Sequence, residues 1–381
     1  MDSKETKVNR PKIIIVSGFY PIFKGGAEYQ MRLIADELKS DYEIVFLYLG
    51  DVPGAAVGKT YFEYHDGYKV YFIQGPSKLD GLFLRYFYSR RLFKILQIEK
   101  PKFVYQRVYK FISFYFSVFQ KELNFQHFIH VADLFTIDFK QSTLRDKINF
   151  RFFNKTKDNG SKFIVQTSEQ KKVLNSYGIE PVLQIYNMHP TIELEIQQIA
   201  EEKYANPVKH IVWVANIKPI KQLEVFITLA EEFIESKNLV FDVIGDLQDI
   251  EYGEALKLRM NKLSNLNHYS DKDNSFVNQF ILDYAFVVMN TSKSEGFSNV
   301  FIQSWLRGVP VISLNSNPDE LFDKISEFGF FCGNSTVTLK ESLSLLLDNR
   351  DYVRRSSVCY KKSKELFSFS NIVKINKLLS D

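Results

Sequence analysis

Residues 290–312 read NTSKSEGFSNVFIQSWLRGVPVI. The apolar run that leads into them, residues 285–289, is a buried strand ending near Asn290. A polar loop with Glu295 and Gly296 follows. Ser298 or Asn299 is placed to cap a helix, Gly308 to end it, and a second apolar run, residues 309–314, restores a strand. Strand, polar loop, helix, strand is one turn of a parallel α/β layer. The loop directs backbone N–H groups and the positive end of a helix dipole toward one spot, where a phosphate or an array of sugar hydroxyls could bind. Glu295 can accept hydrogen bonds from hydroxyls. Gln303, about two turns on, can lie along the same face. An ordinary strand–loop–helix with a surface glutamate gives the same spacing.

The same rhythm runs outward in both directions. Lys12-Ile13-Ile14-Ile15-Val16-Ser17 is the β-branched run of a strand buried on both faces. It is followed by a turn with Gly25-Gly26, a helical pattern on Met31, Leu33, Ile34 and Leu38, and a strand over residues 43–49. Asp66-Gly67 between two alternating runs marks a hairpin. Residues 79–100 read as a helix stopped by Pro101. Strands are expected near residues 103–105, 127–131, 162–165 and 182–185. Residues 186–207 interrupt the rhythm as a linker with a short surface helix. The alternation then restarts with strands at 210–214, 240–244, near His268, at 285–289 and 309–314. Helices are expected at 220–234, 251–263, 276–283 and 299–307, and the tail 351–379 reads as helical. Two tandem Rossmann-like domains follow, residues 1–190 and 191–360, with a helix at 361–381.

Composition agrees. A chain of 381 residues fits two domains better than one at roughly 150 residues per domain. Hydrophobic residues make up 45% and aromatic residues 15%, enough to fill two cores. The net charge of +4 is too small for binding nucleic acid through bulk electrostatics. Two cysteines cannot make a disulfide framework. The first residues, MDSKETKVNRPK, lack the apolar core of a secretory signal. The longest apolar-aromatic run, FISFYFSVF at residues 111–119, is about half of the ~18 residues that a membrane span needs. The expected location is the cytoplasm, with peripheral attachment to the inner face of the membrane left open.

Four further segments carry chemistry. Residues 212–221, VWVANIKPIK, are a strand end, a turn and a helix start holding Asn216, Lys218 and Lys221. Cations at a helix start oppose its dipole, so an anionic ligand is a better explanation than two surface lysines. Residues 17–28, SGFYPIFKGGAE, place Gly25 and Gly26 where backbone can approach a ligand closely, but lack the GxGxxG of a dinucleotide site. Tyr105-Gln106-Arg107 and residues 128–133, FIHVAD, end two strands. Asp133 falls where strand gives way to loop, and His130 alternates with apolar residues as a buried structural histidine would. Residues 82–94, LFLRYFYSRRLFK, form a basic, aromatic helix that either packs on the sheet or lies on an anionic membrane. The six histidines have no HExxH spacing, and no metal site is expected.

Glu295-Gly296-Phe297, the seven-residue spacing to Gln303, and GVPVI at residues 308–312 resemble the donor-sugar signature of family 4 retaining glycosyltransferases, enzymes of the GT-B fold. The familiar signature has a second Glu where this chain has Gln303; in the family that residue holds the ribose hydroxyls. Gln can still accept from one hydroxyl and donate to another. Residues 212–221 resemble the turn in which the family carries an Arg and, five residues on, a Lys, both on the donor diphosphate. Asn216 replaces the Arg, Lys221 matches the Lys, and Lys218 can supply the missing charge. Residues 17–28 resemble the family's N-terminal Gly-Gly-x-Glu loop. His130 and Asp133 are nearest to a family position beside the transferred sugar. Asn317-Pro318-Asp319, Gln166-Thr167-Ser168 and Ile185-Tyr186-Asn187 also resemble family pattern, so that the likeness runs over about residues 12–375.

The resemblance implies an α/β GT-B architecture: two Rossmann-like domains facing across a cleft, with a final helix crossing back to the first. It implies retaining transfer of a hexose from a nucleotide-diphosphate sugar to a glycan or lipid-linked acceptor, with no separate cofactor and no catalytic metal. Catalytic roles fall on Glu295, Lys221, Asp133 and His130. Donor binding falls on Gly25, Gly26, Asn216, Lys218, Lys221, Gly296, Phe297, Ser298, Asn299 and Gln303. Two alternatives stay open: a degenerate, non-catalytic relative that serves as a partner in glycan assembly, and a nucleotide-sugar epimerase on the same fold.

Overall fold

The Ile-Ile-Ile-Val run is β1 (Lys12–Val16), and four of its five residues are buried. Parallel neighbours β2 (Glu43–Leu49) and β5 (Phe103–Arg107) flank it on both edges, which is why it reads as continuously apolar. These strands belong to a computed structural model that describes residues 10–52, 58–75, 86–140, 142–348 and 351–380, the side chains of Tyr86 and Phe87 excepted. The chain divides into two compact units, one reaching Tyr186 and resuming at Ser370, the other Asn187–Phe369.

In the first unit, α1 (Gly26–Leu38) joins β1 to β2. The hairpin predicted at Asp66-Gly67 is β3 (Thr60–His65) and β4 (Tyr68–Ile73), the antiparallel pair at one edge. Both turn residues have positive φ, 50° and 81°, as such two-residue turns require. Then come α2 (Tyr86–Glu99), β5, α3 (Ser113–Leu123), β6 (Gln126–His130), α4 (Leu144–Asp158), β7 (Lys162–Val165), α5 (Ser168–Ser176) and β8 (Leu183–Gln184). Among the described residues the sheet order is β3-β4-β2-β1-β5-β6-β7-β8. One apolar layer gathers Ile14, Leu92, Leu96, Val104 and Phe116. Another gathers Ile129, Phe153, Phe163 and Leu174.

Residues 82–85 of the basic aromatic segment lie outside the described residues. From Tyr88 on, that segment is part of α2, and Tyr88, Leu92, Ile95 and Leu96 are buried in the core.

At the far end of α2, the Glu99 carboxylate accepts from Lys12 Nζ (2.6 Å), Lys69 Nζ (2.7 Å) and Tyr71 Oη (2.6 Å). Burial pushes its pKa up, but the three donors outweigh burial and hold it at about 2. A carboxylate depressed in this way stabilises the fold above its ordinary pKa, and that stability is lost as pH falls toward 2. Glu99→Gln should cost about 2–3 kcal/mol, less than a fully buried pair because both lysines remain partly solvated. Urea unfolding at pH 7 measures it; an unchanged midpoint would show that the pairs contribute nothing net.

The second unit opens with α6 (Ile196–Ala205), the surface helix expected after the linker. It continues through β9 (Lys209–Val214), α7 (Leu223–Glu232), β10 (Leu239–Ile244), α8 (Ile250–Met260), β11 (Leu266–Tyr269), α9 (Asn274–Asp283), β12 (Ala285–Asn290), α10 (Asn299–Trp305), β13 (Val311–Ser313), α11 (Leu321–Lys324), β14 (Gly329–Phe331), α12 (Thr336–Leu347) and α13 (Tyr352–Phe367). Its sheet is parallel, in the order β11-β10-β9-β12-β13-β14. Ile211, Trp213, Phe241 and Met289 lie at its core.

Three expectations change. The helix expected from residue 220 begins only at Leu223. A 3₁₀ turn, Pro219–Lys221, precedes it, and Gln222 separates the two at φ 48°. β14 and α12 have no counterpart in the sequence reading: a three-residue strand carries no periodicity, whereas the helical spacing of Leu339, Leu343 and Leu346 was a signal passed over. The tail is two helices. At Ser368 the backbone turns extended (φ −74°, ψ 170°), and α14 (Ser370–Ser380) returns to the first unit. There it packs on α1, with Asn376 Nδ2 donating to Asp41 at 2.8 Å and Ser380 Oγ 3.5 Å from Tyr42 Oη.

Candidate functional site

In an open parallel sheet, ligands bind beyond the carboxyl ends of the strands where the strand order reverses. In the second unit the chain runs outward from β9 through β10 to β11, then crosses to the other side of β9 at β12. The reversal lies between β9 and β12, and the two loops that leave it are residues 215–221 and 291–298. They are stitched together. Trp213 Nε1 donates to Thr291 Oγ1 (2.9 Å), Thr291 Oγ1 donates to the Lys221 carbonyl (2.8 Å), and Lys293 N–H donates to the Ile220 carbonyl (2.8 Å).

On this frame Lys221 Nζ pairs with Glu295 Oε1. Ser292 Oγ (2.9 Å) and Asn290 Nδ2 (3.4 Å) donate to the same carboxylate oxygen. The lysine and glutamate side chains are 17% and 15% exposed, so solvent reaches a mostly enclosed ion pair. Asn315, beyond β13, donates to the Ser292 carbonyl at 3.2 Å. The left-handed Gln222 ends the turn that carries Lys221, so Lys221 precedes α7 rather than starting it. Lys218 and Asn216 are half-buried in the same loop.

The donor-binding set of the Glu295 segment is only partly gathered. Helix α10 starts at Asn299, so Glu295 lies in the loop and not on a shared helical face with Gln303. Ser298 occupies the N-cap without a side-chain bond to the helix. The Asn299 side chain accepts from Asn187 Nδ2 at 3.0 Å. The Phe297 ring is 5% exposed and packs edge-on against Phe367, 5.5 Å between centroids. It anchors the loop to the core, and only its backbone could meet a ligand; Gly296 beside it is half-buried. Gln303, 2% exposed, donates through Nε2 to Asn278 Oδ1 (2.9 Å) and Asn274 Oδ1 (3.2 Å). Gly308 ends the helix at φ 66°, where an added Cβ would lie 2.4 Å from Ser356 Oγ.

The sequence reading passed over one residue of this frame. Gly245 follows β10, donates to the Tyr269 carbonyl at 3.0 Å and lies against the loop after β9. A Cβ there would stand 1.8 Å from the Ala215 carbonyl oxygen. The available signal was a lone glycine directly after a buried strand, in Val243-Ile244-Gly245-Asp246, which marks a close backbone approach. Gly245→Ala should destabilise the chain by about 1–3 kcal/mol, read as a lowered thermal midpoint. A midpoint equal to the parent's would contradict the contact.

In the first unit the order reverses between β1 and β5. After β1, Gly25 is the N-cap of α1 with extended backbone (φ −130°, ψ 156°), and Gly26 is the first helical residue. Glu28 curls back over the loop: a Cβ on Gly25 would lie 2.0 Å from its Oε2. Arg107 ends β5 and His130 ends β6, cross-strand partners in register. Arg107 is 6% exposed. Burial lowers its pKa to about 10, against the charges of Tyr105, Glu28 and Asp133, which raise it. His130 Nδ1 lies 2.8 Å from Tyr105 Oη, while Nε2 is buried with no hydrogen-bond partner among the described residues. Burial, then the Arg107 charge, keeps this imidazole neutral. Asp133 accepts from Thr136 N–H at 3.0 Å and caps a 3₁₀ turn. Burial raises its pKa, opposed by that bond and by Arg107. The sequence reading assigned Arg107 no role, though its charge acts on both His130 and Asp133. Among the described residues, no group of three or more His, Cys, Asp or Glu side chains is placed to hold a metal ion, and no helix is long and apolar enough to cross a membrane.

No family profile matches the sequence, and no curated protein matches it. Solved structures do match over the whole chain. Sucrose-phosphate synthase from Thermosynechococcus elongatus is similar at a TM-score of 0.76 and 14% identity, covering 97% of this chain and 98% of that one. Anabaena HepE, in complex with UDP and glucose, is similar at 0.71 and 15%, covering 97% and 100%. A UDP-forming α,α-trehalose-phosphate synthase from Burkholderia xenovorans, in complex with glucose-6-phosphate, is similar at 0.70 and 11%, covering 97% and 100%. The fold of this chain is the GT-B fold.

Proposed function

We propose that this chain is a retaining glycosyltransferase that moves a hexose from a nucleotide-diphosphate sugar to a glycan or lipid-linked acceptor. The observation that carries the reading is the Lys221–Glu295 pair at the β9/β12 reversal, a cation beside a carboxylate where an α/β sheet places its ligand. A diphosphate needs the cation, and sugar hydroxyls need the acceptor oxygens. That HepE has been captured with UDP and glucose adds support. So does the agreement of the Glu295 and Lys221 segments with the family 4 signature.

In this reading the donor phosphates meet Lys221, Lys218 and the N–H groups of the two loops. Glu295 orients the hexose, and Gln303 takes a ribose hydroxyl. The bond from the anomeric carbon to the β-phosphate oxygen breaks. Its electrons pass to the leaving diphosphate, which Lys221 stabilises. The acceptor oxygen bonds to the anomeric carbon on the same face and gives its proton to the departing phosphate oxygen. His130, held neutral, Asp133, Gly25 and Gly26 are the first unit's candidates for the acceptor.

The test is a thermal-shift panel of UDP, GDP, ADP, dTDP and their sugars. A nucleotide present at a hundred times its Kd stabilises by roughly 2.7 kcal/mol, so one base should stand out. A second reading, a non-catalytic GT-B partner protein, draws on Asn216 in place of an arginine and on Gln303 in place of a glutamate. A flat panel on folded protein would favour it.

A further inference from the structure

Helix α4 turns its apolar side chains both ways. Phe153 and Thr156 are buried beneath it, and Phe139 from the preceding segment packs against Phe150 and Phe153 at centroid distances of 5.6 and 5.0 Å. The side chains opposite Phe153 should be polar in a helix that merely covers a domain. Instead Leu144 is 75% exposed and Ile148 41%. With 3.6 residues per turn, residues 144, 148, 151 and 155 fall on one outward stripe. Its first half is therefore Leu144 and Ile148, and its second half Arg151 and Lys155, both exposed. Arg145 and Lys147 flank the apolar half and are also exposed.

The acidic groups of α4 do not offset this charge. Asp146 points back into the helix start, where it accepts from Ser142 Oγ and Thr143 N–H in a capping box. Asp158 lies at the opposite end, 3.7 Å from Lys157.

We propose that the outward stripe of α4 docks on an anionic lipid surface. Two observations select this occupant. Leu144 and Ile148 are exposed apolar side chains flanked on the same helix by arginine and lysine, the pattern of an interfacial helix that sinks apolar tips among acidic headgroups. A second copy of the same face would set Arg145, Lys147 and Arg151 against themselves, a like-charge juxtaposition that opposes a symmetric dimer. The stripe lies on a different segment of the chain from residues 82–94, for which membrane contact is one of two readings of the sequence.

Co-sedimentation with vesicles tests it. At ~0.1 M salt, vesicles of phosphatidylglycerol and phosphatidylcholine should carry the full chain down, and vesicles of phosphatidylcholine alone should not. Leu144→Asp combined with Ile148→Asp should lower the partition coefficient about tenfold or more. Arg145→Glu combined with Arg151→Glu should do the same, and raised salt should release the parent protein. Leu144, Arg145 and Arg151 face solvent and Ile148 is 41% exposed, so the thermal midpoint of the charge-reversal variant should hold, and measuring it for both variants separates lost docking from lost folding. The proposal is overturned if the parent ignores anionic vesicles, or if both folded double variants sediment as the parent does. Light scattering that shows a dimer dissolved by Leu144→Asp would overturn it in favour of a second copy.

Discussion

Replacing Lys221 with alanine should weaken nucleoside diphosphate binding by roughly 10- to 150-fold, the worth of one charge-assisted hydrogen bond at about 1.5–3 kcal/mol. In the proposed transfer, turnover should fall further, by at least ~100-fold, because the charge on the leaving phosphate grows as the glycosidic bond breaks. Folding stability should fall only modestly, by about 1–2 kcal/mol. The ion pair with Glu295 is mostly enclosed but still reached by solvent, so it lies between an exposed pair and a fully buried one. After the substitution the Glu295 carboxylate keeps its hydrogen bonds from Ser292 and Asn290, so it is not stranded. Titration calorimetry with the nucleotide chosen by the thermal-shift panel measures the first effect, and nucleotide release from the donor sugar measures the second. Unchanged binding with a normal melting midpoint would remove Lys221 from the phosphate site. A large drop in the midpoint would mean that the pair is structural.

Much of this arrangement was legible in the sequence, for physical reasons that differ by residue. β1 declared itself because a strand flanked by parallel neighbours must be apolar on both faces, and Ile13, Ile14 and Ile15 are each 0–1% exposed. The Asp66-Gly67 hairpin was readable because its turn demands residues that tolerate positive φ. What the sequence hid depends on the third dimension. Gln222 at φ 48° carries no signature of a left-handed residue, so a helix pattern ran through it and Lys221 looked like a helix start. Phe297 sits inside the segment that resembles a donor-sugar signature, yet its ring belongs to the core beside Phe367, and an aromatic in a loop gives no sign of which way it turns. The tail has helical periodicity on both sides of Ser368, so the returning helix was expected from residue 361 and starts instead at Ser370. Arg107 matters because β5 and β6 pair in register at their last residues, a fact of topology and not of motif.

Acid should unfold this protein steeply, beginning well above the pH at which carboxylates protonate. His127, His130 and His189 are each 0–1% exposed. His127 is locked as the neutral tautomer. Gln106 Nε2 donates to the Val108 carbonyl and Ser113 Oγ, which turns its Oε1 toward His127 Nε2 at 3.1 Å, and Ser161 Oγ stands 2.8 Å from Nδ1. Burial lowers its pKa to about 3. Burial does the same to His189, helped by the Arg307 charge, and holds His130 well below the ordinary range. The unfolded chain protonates all three near pH 6.5, while the native chain leaves them neutral. The unfolded state therefore binds more protons, and stability falls as pH falls through that window. Each histidine contributes ~1.4 kcal/mol per pH unit, so three give a slope of roughly 4 kcal/mol per unit between about pH 6 and pH 4. That slope consumes an ordinary stability of 5–15 kcal/mol within a few units. Asp133 opposes it modestly, since a carboxyl raised by burial takes up its proton in the native state first. Below pH 4.5 the depressed Glu99 adds to the loss. Urea unfolding at half-unit steps from pH 7.5 to 4.5 reads the slope directly as proton uptake. Uptake near three protons is the expected result; uptake below one would mean that the buried imidazoles protonate without unfolding the chain.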